Sequence, residues 1–309
     1  MRKAALDTVH ELAKADPRVV FVGSDLGPGT LAGMKRDFPE RWFMEGVAEQ
    51  HIIGMAAGLA MEGFLPYINT IATFLTRRCY EQVATDLCLH DVPVRLLASG
   101  GGVVYAPLGP THLAIEDIAI MRALPNMTVV APVDAEEMRR VMRASLDHPH
   151  PMYIRFAKGG DPVVSRPELG FTLGKAIAMR PPGEALLVST GVMTAAALGA
   201  ADLLKVAGIE AGVLHLHTIK PLDAAALIEA AADTDLVVTV EEHVRNGGLG
   251  SAVLEAFADH GRPLPRVLRL ALPDAFPKRY GSQASHLGEA GLTPEGIAES
   301  VRRELQPSR

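Results

Sequence analysis

The sequence predicts an α/β protein with two domains, each built on a mostly parallel sheet that helices cover. Three observations support this prediction. Helical and strand patterns alternate along the whole chain, an order that is typical of parallel sheets. The 309 residues suggest two domains, at roughly 150 residues each. A stretch rich in glycine and proline, 158–185, separates two such patterns near the middle of the chain.

The first half of the chain supplies the elements of one domain. Apolar residues at helical spacing predict helices over 3–15, 46–62 and 74–90. Short apolar and β-branched runs between turn residues predict strands over 18–23, 65–70, 93–98, 127–131 and 152–156. Asp134 and Glu137 resemble a capping box, which indicates that a further helix starts there.

The second half shows a second α/β pattern. Strands are predicted near 185–190, 211–216, 235–240 and 266–271. Helices are predicted near 192–207, 222–232, 249–259 and 293–304. Thr293 and Pro294 form a good N-cap and first-turn pair for the last of these helices. The predicted domains are therefore 1–165 and 185–309, with a linker over 166–184.

Composition and charge exclude several classes of function. The net charge of −6 gives no electrostatic basis for binding nucleic acid or an anionic membrane. The two cysteines, Cys79 and Cys88, do not make a disulfide framework and favour a reducing compartment. The start of the chain lacks the apolar core of a signal peptide, and the apolar run Ile52–Met61 is too short to span a bilayer. We therefore expect a cytoplasmic protein that contacts neither nucleic acid nor membrane.

The segment Glu45–Ala60 is the first that points to chemistry. Glu49 starts a predicted helix that is rich in Gly and Ala and apolar on almost every side, as in the core of a subunit. A carboxyl at that point would be desolvated, which favours its protonated form and suits it to share a proton with a ligand. The alternative is an exposed glutamate that the helix dipole stabilises. The helix alone favours this alternative slightly.

The segment resembles the pyrimidine-binding domain of transketolases and deoxyxylulose phosphate synthases. Further similar segments occur in the same order and spacing over nearly the whole chain. They are Arg2-Lys3-Ala4, Gly23-Ser24-Asp25-Leu26, 38–43, Thr73-Phe74-Leu75-Thr76-Arg77, Gly109-Pro110-Thr111-His112, 124–127, Arg155, Ile219-Lys220-Pro221-Leu222-Asp223, Val240-Glu241-Glu242-His243 and Gly247-Gly248-Leu249-Gly250. Each alone is weak, but their order and spacing together identify the chain as similar to this family.

The resemblance implies thiamine diphosphate as the cofactor. Glu49 matches the family carboxyl that hydrogen-bonds the pyrimidine ring and so activates the cofactor. Phe74 matches the aromatic residue that stacks on that ring, with an ordinary core phenylalanine as the alternative. Tyr80 is a weaker candidate to line the same pocket. Asp25 matches a family Asp near the pyrimidine, and its alternative is a turn or cap residue.

The resemblance also implies a set of substrate residues. His51 and His112 would face the substrate and move protons on its hydroxyls, although a lone histidine is more often structural. Neither has partners at metal-ligand spacing, so no metal site is expected on this chain. Arg2, Arg77 and Arg155 match positions that bind the substrate phosphate or another anion. Because Arg155 lies inside an apolar strand, its alternative is a buried ion pair.

Two departures from the family pattern qualify the expectation. The chain has no Gly-Asp-Gly motif, which in the family belongs to the diphosphate and magnesium (Mg2+) site. We therefore expect that site on a separate N-terminal partner chain, with two copies of each chain in a heterotetramer. Leu108 replaces an Asp that usually precedes the Gly109-Pro110-Thr111-His112 motif and contacts substrate hydroxyls. Leucine cannot accept a hydrogen bond from a sugar, so the ordinary ketose phosphates are in doubt.

The predicted function is that of a subunit of a transketolase-like transferase. It would move a two-carbon ketol or acyl unit between carbonyl substrates, either ketose phosphates or oxo acids. The alternatives are a beta subunit of a 2-oxo acid dehydrogenase and a pyruvate-using enzyme similar to deoxyxylulose phosphate synthase. A non-enzymatic subunit kept for assembly is a further alternative. The joint presence of Glu49, Phe74, His112 and Arg155 argues against that last one.

Overall fold

The strands form two sheets, as the alternating pattern predicted. The computed structural model describes residues 1–24, 29–261 and 265–306. Its strands in chain order are β1 (Val19–Gly23), β2 (Trp42–Met44), β3 (Leu65–Ile71), β4 (Arg95–Ser99), β5 (Thr128–Val130), β6 (Met152–Phe156), β7 (Ile177–Arg180), β8 (Ala185–Ser189), β9 (Ala211–His215), β10 (Thr218–Lys220), β11 (Leu236–Val244) and β12 (Arg266–Leu272). The predicted two-sheet α/β fold is confirmed.

Helices cover both sheets. In chain order they are α1 (Arg2–Ala15), α2 (Ala32–Asp37), α3 (Glu49–Met61), α4 (Ala72–Leu75), α5 (Tyr80–Gln82), α6 (Asp117–Ala123), α7 (Ala135–Ser145), α8 (Met193–Val206), α9 (Ala224–Ala230), α10 (Leu249–His260), α11 (Gln283–Glu289) and α12 (Pro294–Leu305). Helix α7 begins at the predicted cap, where the Asp134 carboxylate accepts hydrogen bonds from the N–H groups of Glu136 and Glu137.

The first sheet places the ends of several strands along one edge. Its order is β10-β5-β6-β4-β3-β1-β2, with every pair parallel except β10 and β5. Ser24 follows β1, Phe74 follows β3 and Gly100 follows β4. Ligands of open parallel sheets bind outside the carboxyl ends of the strands, so this edge is where a site is expected.

The second sheet has the order β12-β11-β8-β9-β7. Its strand β11 is buried along its full length, including Glu241, Glu242 and His243 near its carboxyl end. Charged side chains are seldom buried without partners, so the end of this strand must meet other polar groups. It meets the loop after β4 of the first sheet, where the N–H of Val103 donates to the Glu242 carboxylate.

Four features of the fold differ from the prediction. Strand β10 comes from the second half of the chain but pairs with β5 of the first sheet, and β7 lies within the predicted linker. Both were missed, as was β2, because each has only three or four residues and too little pattern. The predicted helix 74–90 is interrupted between Leu75 and Tyr80 and continues over Val83–Leu89 as a π-helix. Wide turns of this kind often occur at functional sites.

Candidate active site

Glu49 is a buried carboxylate at the carboxyl edge of the first sheet. It is the first residue of α3 and only 2% exposed. Its Oε1 lies 3.0 Å from Ser24 Oγ, and its Oε2 accepts a hydrogen bond of 2.7 Å from Arg78 Nη1. Gly46, with a φ of 65°, turns the chain into the helix, and its carbonyl oxygen lies 2.6 Å from Ser24 Oγ. Glu49 is therefore fixed at both oxygens and is not the exposed glutamate of the alternative.

Phe74 and Glu49 are linked by Arg78, which contacts both. The Arg78 guanidinium carbon is 4.0 Å from the centre of the Phe74 ring, within cation–π distance. The His112 ring meets the same phenylalanine edge-on, with 5.3 Å between ring centres. Four predicted or newly found side chains thus form one group, Glu49–Arg78–Phe74–His112. A planar ring that both stacks and hydrogen-bonds is the kind of ligand such a group can hold.

Arg78 is the member of this group that the sequence analysis missed. The Thr73–Arg77 motif drew attention to the neighbouring Arg77, whose surroundings differ. Arg77 Nε lies 2.9 Å from Thr73 Oγ1 and 3.0 Å from a carboxylate oxygen of Glu116. The sequence held no usable signal for Arg78, because it lies four residues after Phe74 but the chain does not stay helical between them.

Arg77 holds the loop that carries His112. Its Nη2 approaches the carbonyl oxygens of Thr111 and Leu113 at 3.4 and 3.3 Å. His112 Nδ1 is 2.9 Å from the Thr111 hydroxyl. The Arg77 side chain is 33% exposed, so it is also open to solvent at the mouth of the site. Its role toward a substrate anion stays a prediction.

His51 and Tyr80 lie apart from the ring group. The His51 side chain is 62% exposed on α3 and its Nε2 is 3.9 Å from Glu45 Oε2. The Tyr80 hydroxyl donates to the carbonyl oxygen of Ile120 at 2.9 Å, and its ring packs on the apolar core. Tyr80 is thereby tied to the scaffold, while the contact of the exposed His51 with a substrate stays a prediction.

Arg155 is held inside the protein by an ion pair. Its Nε donates to Asp117 Oδ2 at 2.8 Å, and its Nη2 to the carbonyl oxygens of Glu242 at 2.7 Å and Ala114 at 3.3 Å. Burial alone would lower the pKa of Arg155, but the charges of Asp117 and Glu242 outweigh it and raise that pKa. Within this chain the arrangement matches the buried ion pair of the alternative, and contact with a substrate anion stays a prediction.

The loop after β4 packs directly on Arg155 and Glu242 because its residues at the contact are glycines, which have no side chain. A Cβ added at Gly101 would lie 2.5 Å from Arg155 Cγ, and one at Gly102 would lie 2.4 Å from Glu242 Cδ. The Glu242 carboxylate then accepts from the N–H of Val103 at 2.8 Å and from Gln283 Nε2 at 2.9 Å. Glu242 thus ties the end of β11 to the loop that leads to His112.

We expect a pH-dependent contribution of Glu242 to stability. Burial raises its pKa from 4.5 to about 7, against the opposing effects of Arg155 and the Val103 N–H. Because the folded-state pKa is the higher one, the stabilisation is complete below pH 4.5 and is lost as the pH rises through about 7. Glu242→Gln removes this titration. The free energy of unfolding of the wild type should fall relative to the variant by on the order of 3 kcal/mol over this range.

Denaturant unfolding of both proteins at several pH values measures this difference. Glu241 is also buried and its pKa is also raised to about 7, but it is present in both proteins and cancels. A difference that stays constant with pH would show that Glu242 does not titrate in the folded state.

The remaining predicted residues are Arg2 and Asp25. Arg2 is the first residue of α1, and burial raises the pKa of Tyr105, which follows the glycine loop, against the opposing effect of the Arg2 charge. Asp25 lies outside the described residues. Among residues 1–24, 29–261 and 265–306, no group of three or more His, Cys, Asp or Glu side chains is arranged to hold a metal ion. In the same part of the chain, no helix has both the length and the apolar character needed to cross a bilayer.

Comparison with known families shows which family the chain belongs to. Residues 1–160 match the pyrimidine binding domain of transketolase, and residues 174–297 match the transketolase C-terminal domain. The chain belongs to the transketolase family. The two matches leave residues 161–173 between them.

Two kinds of relative within the transketolase family are similar to the chain. The chain is 39% identical to a 1-deoxy-D-xylulose-5-phosphate synthase of Syntrophotalea carbinolica, over 98% of the chain and 48% of that protein. It therefore spans about half the length of the synthases it matches. It is 35% identical to one subunit of an apulose-4-phosphate transketolase of Phocaeicola vulgatus, over 97% of the chain and 96% of that relative.

Solved transketolase structures agree with the fold. A split-gene transketolase, described as an inactive beta4 tetramer, superposes with a TM-score of 0.89 at 35% identity, over 100% of this chain and 98% of that one. A transketolase of Pichia stipitis superposes with a TM-score of 0.82 at 21% identity, over 98% of this chain and 45% of that one. The second likeness shows the shared fold alone.

Proposed function

We propose that the chain is the pyrimidine-binding subunit of a thiamine diphosphate-dependent transketolase-type enzyme. The observation that carries the proposal is the buried Glu49 carboxylate, whose partner Arg78 also lies over the ring face of Phe74. In this proposal 1–165 is the pyrimidine-binding domain, 166–184 the linker and 185–309 the C-terminal domain. The enzyme transfers a two-carbon ketol or acyl unit between carbonyl compounds.

The residues present fit the pyrimidine end of the cofactor. When bound, thiamine diphosphate would supply a nucleophilic carbon for chemistry at the carbonyl group of the donor. Glu49 holds or releases a proton at one ring nitrogen, in a site where burial strengthens that interaction. Phe74 offers the flat apolar surface on which the ring lies. His112, in edge contact with Phe74, is placed to move a proton on the substrate.

The diphosphate end requires a partner. The chain has no Gly-Asp-Gly motif, and its similarity to the Phocaeicola vulgatus relative extends over almost the whole length of both chains. We propose that a second chain holds the diphosphate and Mg2+. We also propose that two copies of this chain meet in a heterotetramer. The exposed face of α3, with Gly54, Gly58 and Met61, supports close packing against a second copy.

Reconstitution tests the proposed function. The purified chain with Mg2+ and thiamine diphosphate should show no ketol transfer, because ring contacts cannot replace a metal that holds the diphosphate. Mixing it with a companion chain that carries Gly-Asp-Gly should restore turnover. Robust turnover by this chain alone would overturn the split-site proposal. Tight cofactor binding by the mixture without turnover on any tested ketol or oxo acid donor would favour the assembly role.

A pyruvate donor is the second candidate, favoured by the 39% identity to the deoxyxylulose phosphate synthase. Leu108, 48% exposed at the end of a short turn before Gly109, bears on the choice of donor. Leu108→Asp provides an acceptor for a sugar hydroxyl. In the reconstituted enzyme, we expect kcat/KM for a ketose phosphate to rise by about tenfold relative to pyruvate, the equivalent of one hydrogen bond.

Leu108→Asn is the matched variant, because it offers an acceptor without a charge. It should move the ratio of the two kcat/KM values in the same direction. An unchanged ratio in both variants would mean that position 108 does not face the substrate.

A further inference from the structure

Arg78 makes two contacts of the kind that a pyrimidine ring bound at this site would make, one with Glu49 and one with Phe74. Its Nη1 donates to Glu49 Oε2 at 2.7 Å, as a ring nitrogen would interact with this carboxyl. Its guanidinium carbon lies 4.0 Å from the centre of the Phe74 ring, as a stacked ring would. A guanidinium resembles an aminopyrimidine in being flat, in carrying an NH2 donor group and in being able to stack on an aromatic face.

We propose that Arg78 is a positioning residue that fills the ring site in the free chain and is displaced when the cofactor binds. This inference rests on the proposed function, because the ring site is the one proposed above. It adds that a side chain of the protein itself occupies the ring site whenever the cofactor is not bound. Arg78 keeps the buried Glu49 paired until a planar ligand takes its place.

The surroundings of Arg78 allow such an exchange. Its side chain is 41% exposed, whereas that of Glu49 is 2% exposed, so the arginine can swing into solvent while the carboxylate stays. Arg78 lies in the break between α4 and α5, outside the regular helices. The side chain of the neighbouring Arg77 is held by Thr73 and Glu116, so it does not share the exchange.

The occupied site also explains how Glu49 stays buried without a ligand. A buried carboxylate that loses its cation is strongly destabilising. Ser24 offers one hydroxyl, which also lies 2.6 Å from the Gly46 carbonyl oxygen and can donate to only one of the two acceptors. Arg78 supplies the charge that the hydroxyl cannot. Because a ring must displace Arg78 to reach Glu49, the apparent affinity of the protein for that ring is lower than it would be without Arg78.

A titration with 4-amino-5-hydroxymethyl-2-methylpyrimidine tests the exchange. This compound is the pyrimidine half of thiamine and carries no diphosphate, so binding to the full chain needs neither Mg2+ nor a partner. The proteins are the wild type, Arg78→Met and Arg78→Lys, and affinities come from NMR titration. Arg143→Met is the control, because Arg143 forms a solvent-exposed pair with Glu11, 3.9 Å away.

We expect Arg78→Met to bind the pyrimidine about tenfold more tightly than the wild type, since the ring no longer competes with a resident side chain. Arg78→Lys keeps the charge but cannot lie flat on Phe74, so its affinity should fall between the two. Arg143→Met should match the wild type. In the 15N spectrum of the wild type, the Arg78 side-chain signal should shift toward its solvent-exposed position as the pyrimidine is added.

Each other outcome is decisive. Equal affinities of the wild type, Arg78→Met and Arg78→Lys would overturn the exchange while leaving the proposed function intact. Arg78→Lys, with its charge retained, gives this answer even if the methionine variant does not fold. Absence of binding by every variant at the highest pyrimidine concentration tested would also overturn the exchange, whereas the proposed function would still be decided by turnover of the mixture with the companion chain.

Discussion

Replacing Arg155 by methionine is expected to lower the free energy of unfolding by about 3–5 kcal/mol, the usual loss when one partner of a buried ion pair is removed. Asp117 is fully buried, and its Oδ2 accepts from Arg155 at 2.8 Å and from the Tyr153 hydroxyl at 2.7 Å. Without the guanidinium, the carboxylate stays in an apolar interior with one hydroxyl as donor. The Glu242 and Ala114 carbonyls also lose a donor. Denaturant unfolding measures the loss.

Arg180→Met is the matched control for this variant. Arg180 also pairs with an aspartate, but the Asp202 side chain is 67% exposed. Solvent screens such a pair, so the loss should stay below about 1 kcal/mol. The double variant Arg155→Met/Asp117→Leu should recover part of the Arg155→Met loss, because no buried charge is left without its partner. An equal loss in Arg155→Met and Arg180→Met would mean that the buried pair contributes no more to the free energy of unfolding than the exposed pair does.

Glu49→Gln is expected to reduce kcat of the reconstituted enzyme by a factor of about 10² to 10⁴, as is typical when a general acid–base group is lost. The amide keeps the size of the side chain, and its oxygen can still accept from Arg78. It cannot hold or release a proton at a ring nitrogen. Assembly, measured by light scattering, should be unchanged, so that the loss appears in the rate alone.

Glu62→Gln is the control, because Glu62 is an exposed carboxylate just past the other end of the same helix α3. It removes the same charge from the chain and should leave kcat unchanged. If Glu49→Gln kept the wild-type kcat as well, Glu49 would have no part in proton transfer.

Much of the fold was predictable because buried parallel strands have a local signature. Strands β6 and β8 are continuous apolar runs between turn residues, and their observed bounds agree with the prediction to within one residue. The missed strand β10 has only three residues, and its partner β5 lies in the other half of the chain. No local pattern specifies such a pairing, which depends on how the two sheets come together.

The site was predictable only where a single residue has a local signature or matches the family. Glu49 was found from its place at the start of a small-residue helix and from the family resemblance. Its partner Arg78 is 29 residues away in sequence, and nothing in the spacing distinguishes Arg78 from Arg77 as that partner. Arg155 inside an apolar strand indicated that a partner exists. Its partners lie 38 and 87 residues away in sequence, so the sequence could not show which residues they are.

Deuterium exchange at the thiazolium carbon of bound thiamine diphosphate tests the role of Glu49 most directly, because it measures cofactor activation before any substrate reacts. It is followed by acid quenching and NMR in the reconstituted enzyme, with wild type and Glu49→Gln compared at saturating cofactor. We expect fast exchange in the wild type and exchange slowed by about 10² to 10⁴ in the variant. Undiminished exchange in Glu49→Gln would contradict the assignment of Glu49 as the carboxyl that activates the cofactor.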